Sequence, residues 1–388
     1  SLAALLPIGV LLFSGCSQGP EPVARVLLVT LDTVRADALK CYGFEVLSAQ
    51  TPNLDNLAAQ GTLFRRATCQ IPATLTSHTA IMSGRLPRST GVRFASDRVP
   101  EDVVTLAEVC RNHGFSTAAF ISSAVLSKTF GLDQGFDTYE DLSEAKQDEE
   151  AERSAKETTD LALEWLAGQS TDKPVFLWVH YYDAHSPYKP LPEDDVFGPE
   201  NYDGPIDGSA EQVTALVASE GAGLDAADLA RLRALYLGEV NRIDREFGRL
   251  LQGFDETSGD ATRLVVAVSD HGENLGEGGR FFHGADLFET CMHVPLIVRW
   301  PKRRWSGTEV DDLVMAMDVM PTVLSVCGLS TPEEIEAKNL RMYLPSKDSP
   351  NMEKPASRVG LLETEHAYLS DADKELGAAS LEWKLVDR

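Results

Sequence analysis

The chain is short of basic residues. Lysine and arginine number 35 against 60 aspartates and glutamates among its 388 residues, which gives a formal net charge of −25. A protein that binds duplex DNA or RNA needs a basic surface to meet the phosphates, so the composition argues against nucleic acid as a partner. An anionic substrate would also have to be attracted by a local positive centre, such as a bound metal ion.

The chain also has little that could span a membrane. The apolar stretch Leu2–Phe13 is only a dozen residues long, whereas a transmembrane helix needs about 20. It runs through Ser14 and Gly15 into Cys16, a pattern typical of a bacterial lipoprotein signal. We therefore interpret residues 1–22 as part of such a signal followed by a tether. Lipidation of Cys16, export, and anchoring in the periplasm or on the outer cell surface are expected, with a buried N-terminal helix as the alternative.

Cysteine is scarce, and no two cysteines have the C-x-x-C spacing. If Cys16 carries lipid, an odd number remains, at positions 41, 69, 110, 291 and 327. This pattern indicates neither a structural zinc site nor a complete disulfide framework. We expect most of these cysteines to be small buried hydrophobic side chains.

What the chain does have is enough apolar content for a large core, at 43% of its residues. Short apolar runs typical of strands buried on both faces occur at 25–31, 115–122, 175–179, 264–268 and 294–300. Helical patterns lie between them, at 54–58, 157–167 and 225–251. This alternation predicts an α/β fold, with a large and mostly parallel sheet that carries helices on both faces.

Polar side chains follow three of the predicted strands, at the sheet edge where ligands bind in this class of fold. They are Asp32 after the first strand, Asp270 and His271 after the fourth, and His180, Asp183 and His185 at the end of the third. Carboxylate oxygens combined with imidazole nitrogens suit a divalent cation. We interpret His180 as a core histidine rather than a ligand.

A further segment places a hydroxyl group at the start of a helix. Residues 72–84 end in a short helical pattern that Gly84 terminates, which puts Thr74 near the helix N-terminus. Free backbone N–H groups there favour an anionic ester. A hydroxyl whose pKa is lowered by a bound metal is an activated nucleophile. The alternative is that Thr74 only caps the helix.

These motifs, taken in order, resemble the sulfatase family of the alkaline phosphatase superfamily. The similarity runs from about residue 26 to residue 329, through the segments 31–37, 42–43, 51–58, 269–273, 283–284, 294–297 and 318–324. The resemblance implies a large mixed sheet with helices on both faces in a catalytic domain at 23–330, and a small C-terminal subdomain at 331–388. We expect that subdomain to be incomplete, because the strand predicted at 381–386 has little chain after it.

The resemblance also implies roles for single residues. Asp32, Asp270 and His271 match the ligands of a divalent metal, which would be calcium, manganese or zinc. Thr74 aligns with the nucleophile, while His185 and His283 align with groups that bind the ester or protonate the leaving oxygen. His78 stands where most sulfatases have the arginine that steadies the nucleophile. Asp183, with His185 and His283, could form a second metal site.

The nucleophile segment departs from the family. Sulfatases convert a cysteine or serine in a C-x-P-x-R type motif to formylglycine, whereas Thr74 is followed by Leu75-Thr76-Ser77-His78 and cannot be converted. A sulfated threonine has no aldehyde route by which to expel sulfate, but a phosphorylated threonine can be hydrolysed by water at a metal. The chemistry therefore favours a phosphoric or phosphonic ester, and the family resemblance favours a sulfuric ester.

The predicted function is metal-dependent hydrolysis of such an ester by in-line attack of Thr74. The substrate would be a small anionic ester, or a sulfated or phosphorylated glycan or lipid. One alternative is a phosphoryl-group transferase resembling the phosphoethanolamine transferases, which usually carry N-terminal membrane helices. The other is a non-catalytic protein of the same fold that binds glycan or lipid. The complete set of predicted site residues argues against a non-catalytic protein.

Overall fold

The computed structural model describes residues 23–44, 47–142, 152–219, 221–345, 360–363, 376–379 and 384–387. The predicted lipoprotein signal with Cys16, and the first half of the strand predicted at 381–386, lie outside the described residues. No helix in the part of the chain that the structure describes has both the length and the apolarity to cross a bilayer.

Strands and helices alternate along the chain. The strands are β1 (Arg25–Leu31), β2 (Thr62–Phe64), β3 (Ala67–Thr68), β4 (Ser116–Phe120), β5 (Thr138–Glu140), β6 (Val175–Tyr181), β7 (Arg263–Ser269), β8 (Asn274–Leu275), β9 (Phe281–Phe282), β10 (His293–Val294), β11 (Leu296–Arg299), β12 (Thr308–Val310), β13 (Val314–Met315), β14 (Gly360–Glu363), β15 (Leu376–Ala379) and β16 (Lys384–Asp387). The helices are α1 (Pro52–Gln60), α2 (Thr74–Ser83), α3 (Pro87–Thr90), α4 (Leu106–Asn112), α5 (Ala155–Ala167), α6 (Ala210–Ser219), α7 (Ala226–Ser258), α8 (Glu289–Met292) and α9 (Val319–Cys327).

The main sheet has the strand order β12-β2-β11-β7-β1-β6-β4-β5. β11 runs antiparallel to both of its neighbours, whereas the other pairs in this sheet are parallel. The prediction of a large, mixed and mostly parallel sheet is therefore confirmed. Smaller sheets are formed by β10-β3-β13, by β8-β9 and by the antiparallel strands β14-β15-β16.

Apolar side chains cover both faces of the main sheet. Along β1, Val26 and Leu28 pack into one hydrophobic cluster with residues of α2, α4 and α9, while Leu27 and Val29 pack into a second cluster with residues of α1, α5 and α7. This alternation follows from the pleat of a strand, which sends successive side chains to opposite faces. All seven residues of β1 are buried, which explains why the strand has a continuous apolar sequence.

Capping residues set the starts of the long helices. Ser154 and Glu157 form a reciprocal capping box at the start of α5, and Asp225 and Asp228 do the same at α7. α7 runs to Ser258, seven residues beyond its predicted end at Leu251. Most residues after Leu251 are polar, so the sequence shows no clear helical pattern of apolar residues there, although Phe254 and Ser258 are buried.

Candidate active site

The candidate site lies at the carboxyl ends of β1, β6 and β7. These parallel strands are in register, so that Leu31 pairs with Tyr181 on one side and with Ser269 on the other. The residues that follow them therefore meet. The Asp32 N–H donates to the Tyr181 carbonyl over 2.8 Å, and the Ser269 hydroxyl donates to the Leu31 carbonyl over 2.5 Å.

Asp32, Asp270 and His271 form a compact group with three ligand atoms that lie within 4.8 Å of one another. All three side chains are fully buried. Among the described residues, Oδ1 of Asp32 and Oδ2 of Asp270 have no hydrogen-bond partner. Burial raises the pKa of Asp32, and burial together with the charge of Asp32 raises the pKa of Asp270.

This group fits a divalent metal ion. Buried carboxylates are unfavourable unless they are paired or bind a cation. Two unpartnered carboxylate oxygens beside an imidazole nitrogen form a donor set that divalent metals accept. The Nδ1 atom of His271 lies 3.0 Å from the Gly272 carbonyl, an arrangement that fixes the ring and leaves Nε2 facing the site.

Thr74 lies next to this group at the first position of α2, and its Oγ1 is 3.4 Å from Nε2 of His271. The predicted location at a helix N-terminus is confirmed. The alternative reading of Thr74 as the helix cap is wrong, because Ala73 occupies the N-cap position. Ser77 in the same helix donates its hydroxyl to the Asp270 carbonyl over 2.7 Å and ties α2 to the end of β7.

His78 contacts the segment that carries Thr74. Its Nδ1 lies 2.7 Å from the Thr74 carbonyl and its Nε2 lies 3.0 Å from Oγ1 of Thr30. Because a carbonyl oxygen can only accept, Nδ1 carries the hydrogen. Burial lowers the pKa of His78 to about 3, so the ring is neutral and does not supply the charge of the arginine whose position it takes. Its contacts support the turn that presents Thr74.

His180 is buried, as expected for a core histidine, but it also reaches the site. Its Nε2 lies 3.1 Å from Oδ2 of Asp32, and burial lowers its pKa to about 4. Sequence reasoning did not assign this contact. The available signal was the position of His180 at the end of β6, opposite Thr30 in the register that also places Asp32.

The imidazoles of His185 and His283 extend the site outward from the metal-binding group. The His283 ring centroid is 4.3 Å from that of His271, and the His185 centroid is 5.0 Å from that of His283. The Tyr182 ring stacks on His185 at 4.4 Å. Burial lowers the pKa of both His185 and His283, which keeps these rings neutral. The structure thus brings both predicted histidines next to the Thr74 site.

Asp183 does not join this group. Its Oδ1 accepts a hydrogen bond from the Ala155 N–H at the start of α5, and Nε of Arg242 in α7 lies 3.2 Å away. Asp183 is therefore not part of the compact group of ligand atoms that Asp32, Asp270 and His271 form. Its Oδ2 has no hydrogen-bond partner among the described residues, and its role in a second metal site with His185 and His283 stays a prediction.

Glu273 is a site residue to which sequence reasoning gave no role, although it lies within the 269–273 motif. It is fully buried, and its Oε1 lies 2.8 Å from Nδ1 of His283. The Tyr188 hydroxyl donates to Oε2 over 3.1 Å. Burial raises the pKa of Glu273 to about 7. The contacts join residues far apart in the sequence, so spacing alone does not reveal them.

A family model for sulfatases matches residues 24–329. Among curated proteins, the N-acetylglucosamine-6-O-sulfatase of Bacteroides thetaiotaomicron is 22% identical over 423 aligned positions, which cover 88% of this chain and 75% of that protein.

Solved structures confirm the similarity of fold. The phosphonate monoester hydrolase of Agrobacterium radiobacter superposes with a TM-score of 0.74 at 21% identity, covering 94% of this chain and 87% of that one. A structure solved in complex with its substrate D-glucosamine-2-N,6-O-disulfate superposes with a TM-score of 0.73 at 20% identity, covering 94% and 88%.

Proposed function

The chain belongs to the sulfatase family and is an ester-hydrolysing enzyme, and from this premise we propose that Thr74 is its nucleophile. The observation that carries the proposal is the position of Oγ1 of Thr74. It lies 3.4 Å from His271 Nε2 at the start of α2, beside two buried carboxylates with unpartnered oxygens among the described residues. A hydroxyl placed in this way is suited to attack an ester held against the same group.

The residues of the site have separate roles in binding the ester and in its cleavage. Asp32, Asp270 and His271 would hold a divalent metal ion, which when bound polarises the ester oxygens and neutralises developing charge. The first hydrogen bond of α2 runs from the Ser77 N–H to the Ala73 carbonyl, so the N–H groups that precede it can bind the same ester oxygens. His185 or His283 assists the leaving oxygen.

Two arguments bear on the class of ester, and they favour different acids. Threonine chemistry favours a phosphoric or phosphonic ester, because phosphothreonine can be hydrolysed and sulfothreonine has no elimination route. Relatives act on sulfated sugars, and a solved neighbour is a phosphonate monoester hydrolase. We propose an anionic ester of one of these acids, with a sulfated or phosphorylated glycan or lipid as the alcohol part.

Turnover of four aryl esters tests the proposal: a sulfate, a phosphate monoester, a phosphodiester and a phosphonate monoester. On the best of these, Thr74→Ala should lower kcat by at least about 10²-fold with the metal content unchanged. Thr74→Ser is the matched control, because it keeps the hydroxyl and should retain activity. Near-normal kcat in Thr74→Ala would overturn the proposal and leave water as the attacking group.

The location of the enzyme is a separate proposal, supported by the apolar run that leads into Cys16. We propose that Cys16 is the lipidated N-terminus of an exported lipoprotein, which would place the enzyme at the periplasmic or outer face of a membrane. Mass spectrometry of the mature N-terminal peptide from bacterial membranes tests this. An unmodified peptide that continues through Leu12 and Phe13 would rule it out.

A further inference from the structure

We propose that Glu273 is a positioning residue that orients His283 for proton transfer to the leaving oxygen, an inference that rests on the function proposed above. The two side chains meet over 2.8 Å, from Nδ1 of His283 to Oε1 of Glu273. A carboxylate oxygen accepts, so Nδ1 carries the hydrogen. The carboxylate therefore determines which ring nitrogen is left for chemistry, and that atom is Nε2.

Glu273 can keep His283 in one orientation because hydrogen bonds fix both the side chain and the backbone of Glu273. Its second carboxylate oxygen accepts from the Tyr188 hydroxyl over 3.1 Å. Its backbone N–H donates to the Thr290 carbonyl over 3.0 Å, and its own carbonyl accepts from Nη1 of Arg35 over 3.1 Å. The side chain is fully buried. A group fixed at both ends keeps its partner in the reactive orientation without reorganisation during the reaction.

The partners of the two outer histidines differ, and this assigns their roles. His185 directs Nδ1 to the Ser186 carbonyl over 2.6 Å and stacks under Tyr182. His283 is thus oriented by a side chain that its own hydrogen bonds hold in place, whereas His185 is oriented by the backbone carbonyl of the next residue. His283 is therefore the proton-transfer group, and His185 serves to bind the ester.

The proposed step conserves atoms and protons. A bond forms from Oγ1 of Thr74 to phosphorus or sulfur as the bond to the alcohol oxygen breaks. The hydroxyl proton of Thr74 is released to solvent, and Nε2 of His283 takes up a proton from solvent and delivers it to the alcohol oxygen on the opposite side of phosphorus or sulfur. The ring is neutral before and after, which agrees with its burial beside His271.

Glu273→Gln is the main test, because it keeps the size of the side chain and removes the charge. The assay compares 4-nitrophenyl and phenyl esters of whichever acid the wild type hydrolyses. Phenol is the poorer leaving group and depends more on protonation, so we expect kcat to fall about 10²-fold for phenyl and only a few-fold for 4-nitrophenyl. KM should change little. An equal loss on both esters would mean a merely structural role and would overturn the inference.

Three further variants separate this inference from the function it rests on. His283→Ala should show the same leaving-group pattern, and adding Glu273→Gln to it should cause no further loss. Tyr188→Phe removes the hydrogen bond to one carboxylate oxygen of Glu273. It should show the same leaving-group pattern with a smaller difference between the two esters. Glu277→Gln is the matched control, because it removes a charge from the same loop, where Glu277 pairs with Arg35, and it should keep the wild-type pattern.

Nitrogen-15 NMR of the imidazoles gives a readout that does not need turnover. Wild-type His283 should carry its hydrogen on Nδ1, and Glu273→Gln should shift part of the population to Nε2. If His283→Ala shows the leaving-group pattern but Glu273→Gln changes neither pattern nor tautomer, the inference fails and the proposed function stands. If Thr74→Ala and His283→Ala both keep normal kcat, the proposed function fails.

Discussion

Two regions of the molecule bury aspartates and treat them in opposite ways. Against α7, both oxygens of fully buried Asp194 are paired, with Arg245 over 2.6 and 2.9 Å and with Asn241 over 3.0 Å. At the end of the sheet, Asp32 and Asp270 are equally buried, and each keeps one oxygen without a hydrogen-bond partner among the described residues. In the first region an arginine of the chain pairs with the aspartate, whereas the basic side chains nearest to Asp32 and Asp270 are histidines.

The difference separates a carboxylate that the chain pairs with arginine from two carboxylates that could bind a cation. A buried acid matched by arginine within the chain is compatible with stability. Two neighbouring acids without such a match destabilise the folded chain until a cation binds between them. The two carboxylates of the candidate site would thus lower the stability of the metal-free protein, and binding of a cation would offset this loss.

The largest effect should come from removing either unmatched carboxylate. Asp32→Ala and Asp270→Ala each take away one oxygen ligand, and we expect loss of bound divalent metal with a fall in activity beyond the about 10- to 100-fold typical of outer partners. Metal analysis and kcat measure this. Asp194→Asn is the control and should keep both metal and activity. Full metal occupancy in the two alanine variants would remove the distinction between the regions.

The next effect concerns the matched region. Asp194→Ala leaves Arg245 and Asn241 without their acceptor, so we expect the free energy of unfolding to fall by about 1–3 kcal/mol with kcat unchanged at a permissive temperature. Asp195→Ala is the comparison, because the Asp195 side chain is 28% exposed whereas that of Asp194 is fully buried, and its pair with Arg231 should contribute at most about 1 kcal/mol. Urea denaturation measures both. Equal losses would show that burial does not set the strength of these pairs.

Much of the fold could be predicted because burial leaves a pattern in the sequence. β1 lies at 25–31 as predicted, since a strand covered on both faces is continuously apolar. The placement of Thr74 at the start of α2 also followed from local signals, with Gly84 as the αL stop. Local sequence thus specifies the long buried strands and the long helices, together with the residues at their ends.

The rest of the site depends on contacts between distant segments. His180 was interpreted as core, but it also contacts Asp32, which directly follows the neighbouring strand β1. Asp183 was predicted as a metal ligand because it follows the third predicted strand and because the family resemblance suggested a second metal site, whereas its Oδ1 lies 3.2 Å from Nε of Arg242 in α7. Glu273 had no role until Tyr188 and His283 were seen to hold it. The spacing of residues along the sequence does not show which charged side chains meet in the folded protein.

The third prediction is a change in the free energy of unfolding whose sign depends on whether the metal is bound. In chelated protein, Asp270→Asn should raise the free energy of unfolding by about 1–2 kcal/mol, because it relieves the repulsion between buried carboxylates. With saturating divalent metal the order should invert, since only the wild type gains the full binding energy. Thermal unfolding with and without chelator measures both states. A variant less stable than the wild type in chelator would mean that the two carboxylates do not repel.

The smallest effect is a change in pH dependence at Glu239 of α7. Burial, then the nearby charge of Asp183, raises the pKa of Glu239 to about 8. Its Oε1 accepts from the Lys189 N–H over 2.8 Å, while Oε2 has no hydrogen-bond partner among the described residues. The folded state therefore binds a proton that the unfolded chain has already released near pH 4.5. Stability from this group is present below that pH and is lost as the pH rises to about 8.

Replacing Glu239 by glutamine should remove this part of the slope. The free energy of unfolding of wild type, measured in urea from pH 5 to pH 8, should fall more steeply than that of Glu239→Gln, so that the variant gains on the wild type toward pH 8. Glu256→Gln makes the same charge change at an exposed position of α7 and should keep the wild-type slope. Parallel slopes for Glu239→Gln and the wild type would mean that this buried carboxyl, which lies 3.9 Å from Nη1 of Arg242, is ionised throughout.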